Sequence, residues 1–273
     1  MDYRGVRIVL KRDDLIHPEL PGNKWRKLKY NIAAARARGA STLLTFGGAY
    51  SNHIRATAAA GRIYGFRTIG IIRGEEHLPY NESLAAAVGN GMRLAYLDRT
   101  SYRNKTDPAL LARLRHRFGE FYLLPEGGSN ALAVTGCREI VAEIVAELDV
   151  DFDVICCPVG TGGTLAGIAA ALPPGRRAIG FSALRGGAAF LPAEVRRLQG
   201  ADATGNFAIV DDYAFGGFAK RTPELDAFIA KFRVEHDIEL EWVYVAKMLY
   251  GVHALIDDGT FPSGSTVVAV ITG

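Results

Sequence analysis

The chain is poor in cysteine: Cys137, Cys156 and Cys157 are the only three in 273 residues. With an odd count and two adjacent members, reduced thiols in a cytosolic protein fit best. Six histidines are scattered, none at zinc-ligand spacing from a cysteine or another histidine, so no metal site is expected. No apolar run reaches the ~18 residues that a membrane helix needs, so no membrane partner is expected. The opening stretch MDYRGVRIVLKRDD lacks the apolar core and small-residue cleavage site of a secretory leader, and a cytoplasmic location is expected. The formal net charge of +3 is too mild to argue for nucleic acid. No repeat, low-complexity tract or long Pro/Ser linker marks a domain boundary.

Apolar residues are abundant, 49% of the chain, enough for a substantial core. They fall into short β-rich runs that alternate with helical stretches: STLLTF, RTIGIIRG, RLAYLD, FYLLPEGG, FDVICCPVG, RAIGFSAL, FAIVDDY, EWVY and STVVAVIT, with RIVLKRDD ahead of them. Continuous apolar strands separated by helices predict parallel sheets covered on both faces. Nine or ten strands are many for one sheet, so the pattern predicts α/β architecture in two doubly wound open sheets with a cleft between two subdomains.

Sites in such folds form at the carboxyl ends of strands, and three ends stand out. In TFGGAYSNHIRA, Gly47-Gly48 leaves a strand and Ser51-Asn52 falls where a helix begins. An ordinary N-cap outweighs an anion site there on local signal. In CPVGTGGTLAGI, Gly160, Thr161, Gly162, Gly163 and Thr164 follow a strand and open a helix. The P-loop lysine is missing, and Leu165 stands where a dinucleotide fingerprint needs its third glycine. A Gly/Thr cradle for a single phosphate remains. The third end is VVAVITG, where a strand delivers Thr272. Separately, Lys24, Arg26, Lys27 and Lys29 crowd the start of a helix after a Gly-Asn turn. Cations are unfavourable at a helix N-terminus, so these are either a solvated face or include a reactive amine. A phosphate cradle, a carboxylate loop and a reactive lysine together suggest a phosphorylated cofactor that binds covalently through an amine, which describes pyridoxal phosphate.

RDDL…GNKWRKLKY, TFGGAYSNHIRATAAAG, GTGGTLAG and DDYAFGGFAK…VYVAKM, in this order over nearly the whole chain, resemble the 1-aminocyclopropane-1-carboxylate deaminase / D-cysteine desulfhydrase family of pyridoxal-phosphate enzymes. The resemblance implies the tryptophan-synthase-β-like arrangement, fold type II. It implies a large discontinuous domain over 1–27 and 126–273, a small domain over 28–125, and a homodimer. It makes Lys24 the lysine that attaches to the cofactor and Lys27 a lysine near the phosphate, with Arg26 and Lys29 left as a solvated face. Asn52 matches the residue on the pyridoxal 3′-oxygen, Ser51 the serine facing the substrate α-carbon and carboxylate, and His53 a further substrate contact. The stretch from Gly160 to Thr164 matches the phosphate loop, and Tyr244 a substrate-site tyrosine.

Three positions depart from the ring-opening deaminases. Their glutamate after the tyrosine, which keeps the pyridine nitrogen protonated, is Val245 here. Thr272 matches the threonine with which the desulfhydrase branch contacts that nitrogen. The second family tyrosine is Phe218, and a following glycine is Ala246. A neutral hydroxyl partner leaves a weaker electron sink, suited to loss of a good β-leaving group and poorly suited to cleaving an unactivated C–C bond. The expected activity is D-cysteine desulfhydrase-type α,β-elimination on a small amino acid. The alternatives are ring opening of 1-aminocyclopropane-1-carboxylate and a non-catalytic pyridoxal-phosphate-binding protein.

Overall fold

A computed structural model describes residues 1–20, 22–147 and 151–273. Strands β1 (Asp2–Tyr3) and β2 (Val6–Arg12) lead to α1 (Asn23–Ala37), β3 (Thr42–Gly47), α2 (Asn52–Tyr64), β4 (Arg67–Arg73) and α3 (Glu82–Gly89). The chain continues through β5 (Arg93–Leu97), α4 (Arg99–Arg103), α5 (Pro108–Phe118), β6 (Tyr122–Leu124) and α6 (Ala131–Glu147). It then runs through β7 (Val154–Val159), α7 (Gly163–Ala171), β8 (Arg177–Ser182), α8 (Leu191–Gln199) and β9 (Phe207–Val210). It closes with α9 (Pro223–His236), α10 (Val245–Asp257) and β10 (Thr266–Ile271). The stretch NALAVTGCREIVAEIVAELD, 130–149, reads as a helix in sequence, and its residues 148 and 149 lie outside the described residues.

Two compact units form: Met1–His17 with Pro21–Asn23 and Val134–Gly273, and Pro18–Leu20 with Lys24–Ala133. The first holds a six-stranded sheet in the order β1-β2-β10-β7-β8-β9, parallel except for β1. The second holds a four-stranded parallel sheet in the order β5-β4-β3-β6. Strands β3, β7 and β10 are buried along their whole lengths. Their side chains alternate between faces, and both faces are covered. Val154 and Cys156 of β7, with Val267 and Ala269 of β10, pack against α9 and α10. Ile155 and Cys157, with Val268 and Val270, pack against α6, α7 and α8. That double burial is why these strands read as unbroken apolar runs. It also separates the adjacent thiols onto opposite faces, and burial pushes the Cys156 thiol well up, into an inert state.

One expected strand is absent. EWVY, Glu241–Tyr244, is a turn that enters α10. The Glu241 carboxylate accepts from the N–H groups of Val243 at 3.0 Å and Tyr244 at 2.8 Å, which a strand would commit to a ladder. Side-chain competition for backbone donors overrides the β propensity of Trp, Val and Tyr. The two-residue β1 has no counterpart among the expected strands.

Candidate active site

In the first unit, the Gly-Asn turn is built by close approach. Gly22 has φ +68, and a Cβ placed on it would lie 1.2 Å from the carbonyl oxygen of Thr272. Only glycine fits against the end of β10 in this way. Asn23 then opens α1, and its buried side chain donates from Nδ2 to Thr164 Oγ1 at 2.6 Å. This bond ties the residue preceding Lys24 to the Gly/Thr turn. Sequence reasoning missed Asn23, because an asparagine at a helix start reads as a cap and its partner lies 141 residues away.

Strand β7 delivers the turn itself. Gly162 caps α7 at φ +81 with no side-chain bond of its own, and its carbonyl accepts from the Ala166 N–H at 2.8 Å. The first N–H groups of a helix have no intrahelical acceptor. Gly162 brings no side chain of its own to this end, and the buried Thr164 hydroxyl stands beside it. A Cβ on Gly160 would come within 3.1 Å of the Tyr244 ring. A helix start capped by a glycine, a hydroxyl and a side-chain-free strand end fit a phosphate group.

Tyr244 sits just ahead of α10 and Val245 begins it, fully buried. The Phe218 ring lies 5.9 Å from that of Tyr244 at 60°, a favourable edge-on arrangement. Thr272 is buried at the end of β10, 3% exposed. Lys247, one turn into α10, is buried as well; its Nζ donates to the carbonyls of Ala214 at 2.8 Å and Gly217 at 2.7 Å. Burial pulls its ammonium down to about 8, with Glu241 opposing the shift. Glu241 and Lys247 carried no signal in the sequence reading.

The second unit holds the lysines and the Ser-Asn loop. Spacings of three, one and four put Asn23, Arg26, Lys27 and Asn31 on one stripe of α1, and all four are buried. Arg26 is therefore not part of a solvated face; it is 1% exposed. Lys29 is partly buried, with its Nζ over the Tyr30 ring at 5.1 Å. Lys27 donates from Nζ to the Gly127 carbonyl and to Ser129 Oγ, both at 3.2 Å. Lys24, in the first turn, is half-buried. Ser51 caps α2, its Oγ accepting from the Ile54 N–H at 3.3 Å. Asn52, the first residue of α2, is half-buried. The lysine stripe and His53 share this unit, whereas the Gly160–Thr164 turn, Tyr244, Phe218 and Thr272 belong to the other.

His53 is buried, with Nε2 2.8 Å from Thr45 Oγ1. The Thr45 hydroxyl proton goes to the Leu124 carbonyl at 3.0 Å. The neutral ring therefore carries its proton on Nε2, and Nδ1 is a bare buried acceptor. Burial first, then the Lys24 and Lys27 charges, hold the His53 pKa well below its ordinary value. His253 is also lowered, by burial. The unfolded chain takes up these protons below about pH 6.5 and the folded chain only at lower pH, so stability falls as pH drops through that region. His53→Gln is expected to flatten the fall between pH 7.5 and 5.5 by about one proton, read from urea midpoints of the apoprotein. Parallel curves for parent and variant would contradict the buried neutral ring.

The comparisons with known proteins give the cofactor class. The family model described as "Pyridoxal-phosphate dependent enzyme" matches residues 2–273. The chain belongs to this family, and pyridoxal phosphate is its cofactor. It is 30% identical to a Pyrococcus horikoshii protein named "Putative 1-aminocyclopropane-1-carboxylate deaminase", over 98% of this chain and 85% of that one. A Thermotoga maritima protein of the same name is 33% identical, over 91% of this chain and 83% of that one. A crystal structure described as an ACC deaminase homologue superposes with a TM-score of 0.83 at 29% identity, covering 97% and 84% of the two chains. O-ureido-L-serine synthase, at 17% identity and a TM-score of 0.70 over 100% and 85%, shares the fold. The two-sheet α/β architecture is fold type II of the pyridoxal-phosphate enzymes, and the chain is an enzyme of the lyase and deaminase group.

Proposed function

We propose that the enzyme eliminates a β-leaving group from a small amino acid, with D-cysteine as its substrate: D-cysteine and water give pyruvate, ammonia and hydrogen sulfide. The observation that carries this reading is Val245. It is wholly buried at the start of α10, where the ring-opening deaminases that the chain resembles have a glutamate. A valine can neither donate a proton nor hold one on a ring nitrogen. Thr272, buried at the end of β10, offers a neutral hydroxyl.

When bound, the cofactor supplies the electron sink that lets a substrate α-proton leave. The chain's own residues divide the remaining work. The Gly160–Thr164 turn binds the phosphate, with Asn23 orienting the Thr164 hydroxyl. Lys24 would attach to the cofactor through Nζ, and Lys24 or Ser51 would take the α-proton. Lys27 adds positive charge on the phosphate side. Asn52 would orient the 3′-oxygen and Ser51 would face the substrate, whereas the expected substrate contact of His53 does not fit its full burial against Thr45. The Tyr244 and Phe218 rings would form an apolar wall that excludes water from the leaving group.

The relatives' names favour a second reading, ring opening of 1-aminocyclopropane-1-carboxylate to 2-oxobutanoate and ammonia. The purified, cofactor-loaded enzyme separates the two. Sulfide and pyruvate from D-cysteine are expected with kcat/KM at least about tenfold above that for 2-oxobutanoate from the cyclopropane. Val245→Glu is expected to narrow this ratio. Faster 2-oxobutanoate formation by the parent would overturn the proposal. A bound-cofactor absorption band that responds to no amino acid would favour a non-catalytic binding protein instead.

A further inference from the structure

Lys247 is a buried cation with an unusual set of partners. It is 2% exposed, makes no ion pair within 4.0 Å among the described residues, and donates to two main-chain carbonyls. An apolar side chain in the same place would avoid the desolvation of a charge, so the ammonium needs an explanation. The segment that it grips supplies one. Phe215, Gly216, Gly217 and Ala219 all have positive φ, at 50°, 86°, 115° and 52°. A bulky phenylalanine in the left-handed region is strained and persists only where the surroundings enforce it. Lys247 binds the carbonyls on either side of Phe215 and Gly216, pinning this turn from beneath. The residue that follows is Phe218, whose ring meets Tyr244, and Tyr244 in turn fills the space beside Gly160. Lys247, turn, Phe218, Tyr244 and Gly160 form one chain of contacts inside a single unit.

We propose that Lys247 is a positioning residue: its ammonium serves as a built-in cation that holds the 214–217 turn, and through Phe218 seats the Tyr244 ring at the phosphate-side turn. The inference rests on the proposed elimination only for its kinetic readout. Its structural readout is independent of any reaction.

Lys247→Met keeps the length and removes the charge. In the cofactor-loaded enzyme it is expected to lower kcat/KM on D-cysteine about tenfold or more, with a Tm within about 4 °C of the parent. Phe218→Ala added to Lys247→Met is expected to cost little beyond the single variant, because both act through one turn. A folded Lys247→Met enzyme with parental kcat/KM, or full additivity with Phe218→Ala, would overturn the proposal. Lys247→Ala covers the case in which methionine does not fold. Propylammonium is expected to raise the Tm of the Lys247→Ala apoprotein while propanol at the same concentration does not, and neither shifts the parent. Equal responses to amine and alcohol would overturn the built-in cation. A parent enzyme inactive on D-cysteine would sink the proposed function and leave the propylammonium measurement to decide on Lys247.

Discussion

Replacing Lys24 with alanine is expected to lower the rate of elimination by about a thousandfold or more and to remove covalent attachment of the cofactor. No neighbouring amine can substitute. Lys27 has the charge, but its Nζ is engaged by the Gly127 carbonyl and Ser129 Oγ, and the side chain is buried. Lys29 points its ammonium at the Tyr30 ring. Arginine at position 24 would keep the charge and still fail, since a guanidinium does not lose its proton near neutral pH. The attachment is read by borohydride reduction followed by intact mass. The parent is expected to gain one reduced cofactor, Lys27→Ala to gain it too, and Lys24→Ala not to. A retained adduct in Lys24→Ala would assign the amine elsewhere, whatever the activity.

Gly22→Ala is expected to be severely damaging for a single added methyl. The added carbon would stand 1.2 Å from the Thr272 carbonyl oxygen and 2.2 Å from its carbonyl carbon, so main chain must move. The atoms that move are the ones that matter: the end of β10 with Thr272, and Asn23 with its bond to Thr164. Gly39 provides the control. Its φ is +66, and a Cβ there meets nothing within 4 Å. Gly39→Ala should therefore cost only the left-handed conformation, about 1 kcal/mol. Gly22→Ala should cost roughly 3 kcal/mol or more, and weaken cofactor binding besides. Urea unfolding of both apoproteins measures the difference, and cofactor titration measures the second effect. If the two variants were equally stable, the packing of the G-N-K turn on β10 would be refuted.

Both predictions draw on features that the sequence displayed in part. The strands β3, β7 and β10 were legible because each is buried on both faces, which leaves an unbroken apolar run with helical segments on either side. The Gly160–Thr164 stretch was legible as a tight strand-to-helix turn because its glycines and hydroxyls are adjacent in the chain. Ser51 behaved as the local rule for helix caps requires. The stretch Glu241–Tyr244 misled because its β-rich composition outweighs a single carboxylate when only propensity is read. The basic run at α1 misled in part as well: charge suggested solvent for Arg26, and the stripe to which it belongs is buried.

The sequence by itself determined the alternation of elements, which rests on periodicity, and its adjacent motifs carried the resemblance that gave the cofactor class. The tertiary structure decided which polar groups act together. Asn23 reaches Thr164 across 141 residues, Lys247 reaches Ala214 across 33, and Gly22 meets the carbonyl of Thr272 near the far end of the chain. Periodicity repeats over a few residues and registers only which face a side chain takes. The partner across a fold depends on how parallel strands order themselves in a sheet, and no spacing within one segment encodes that order.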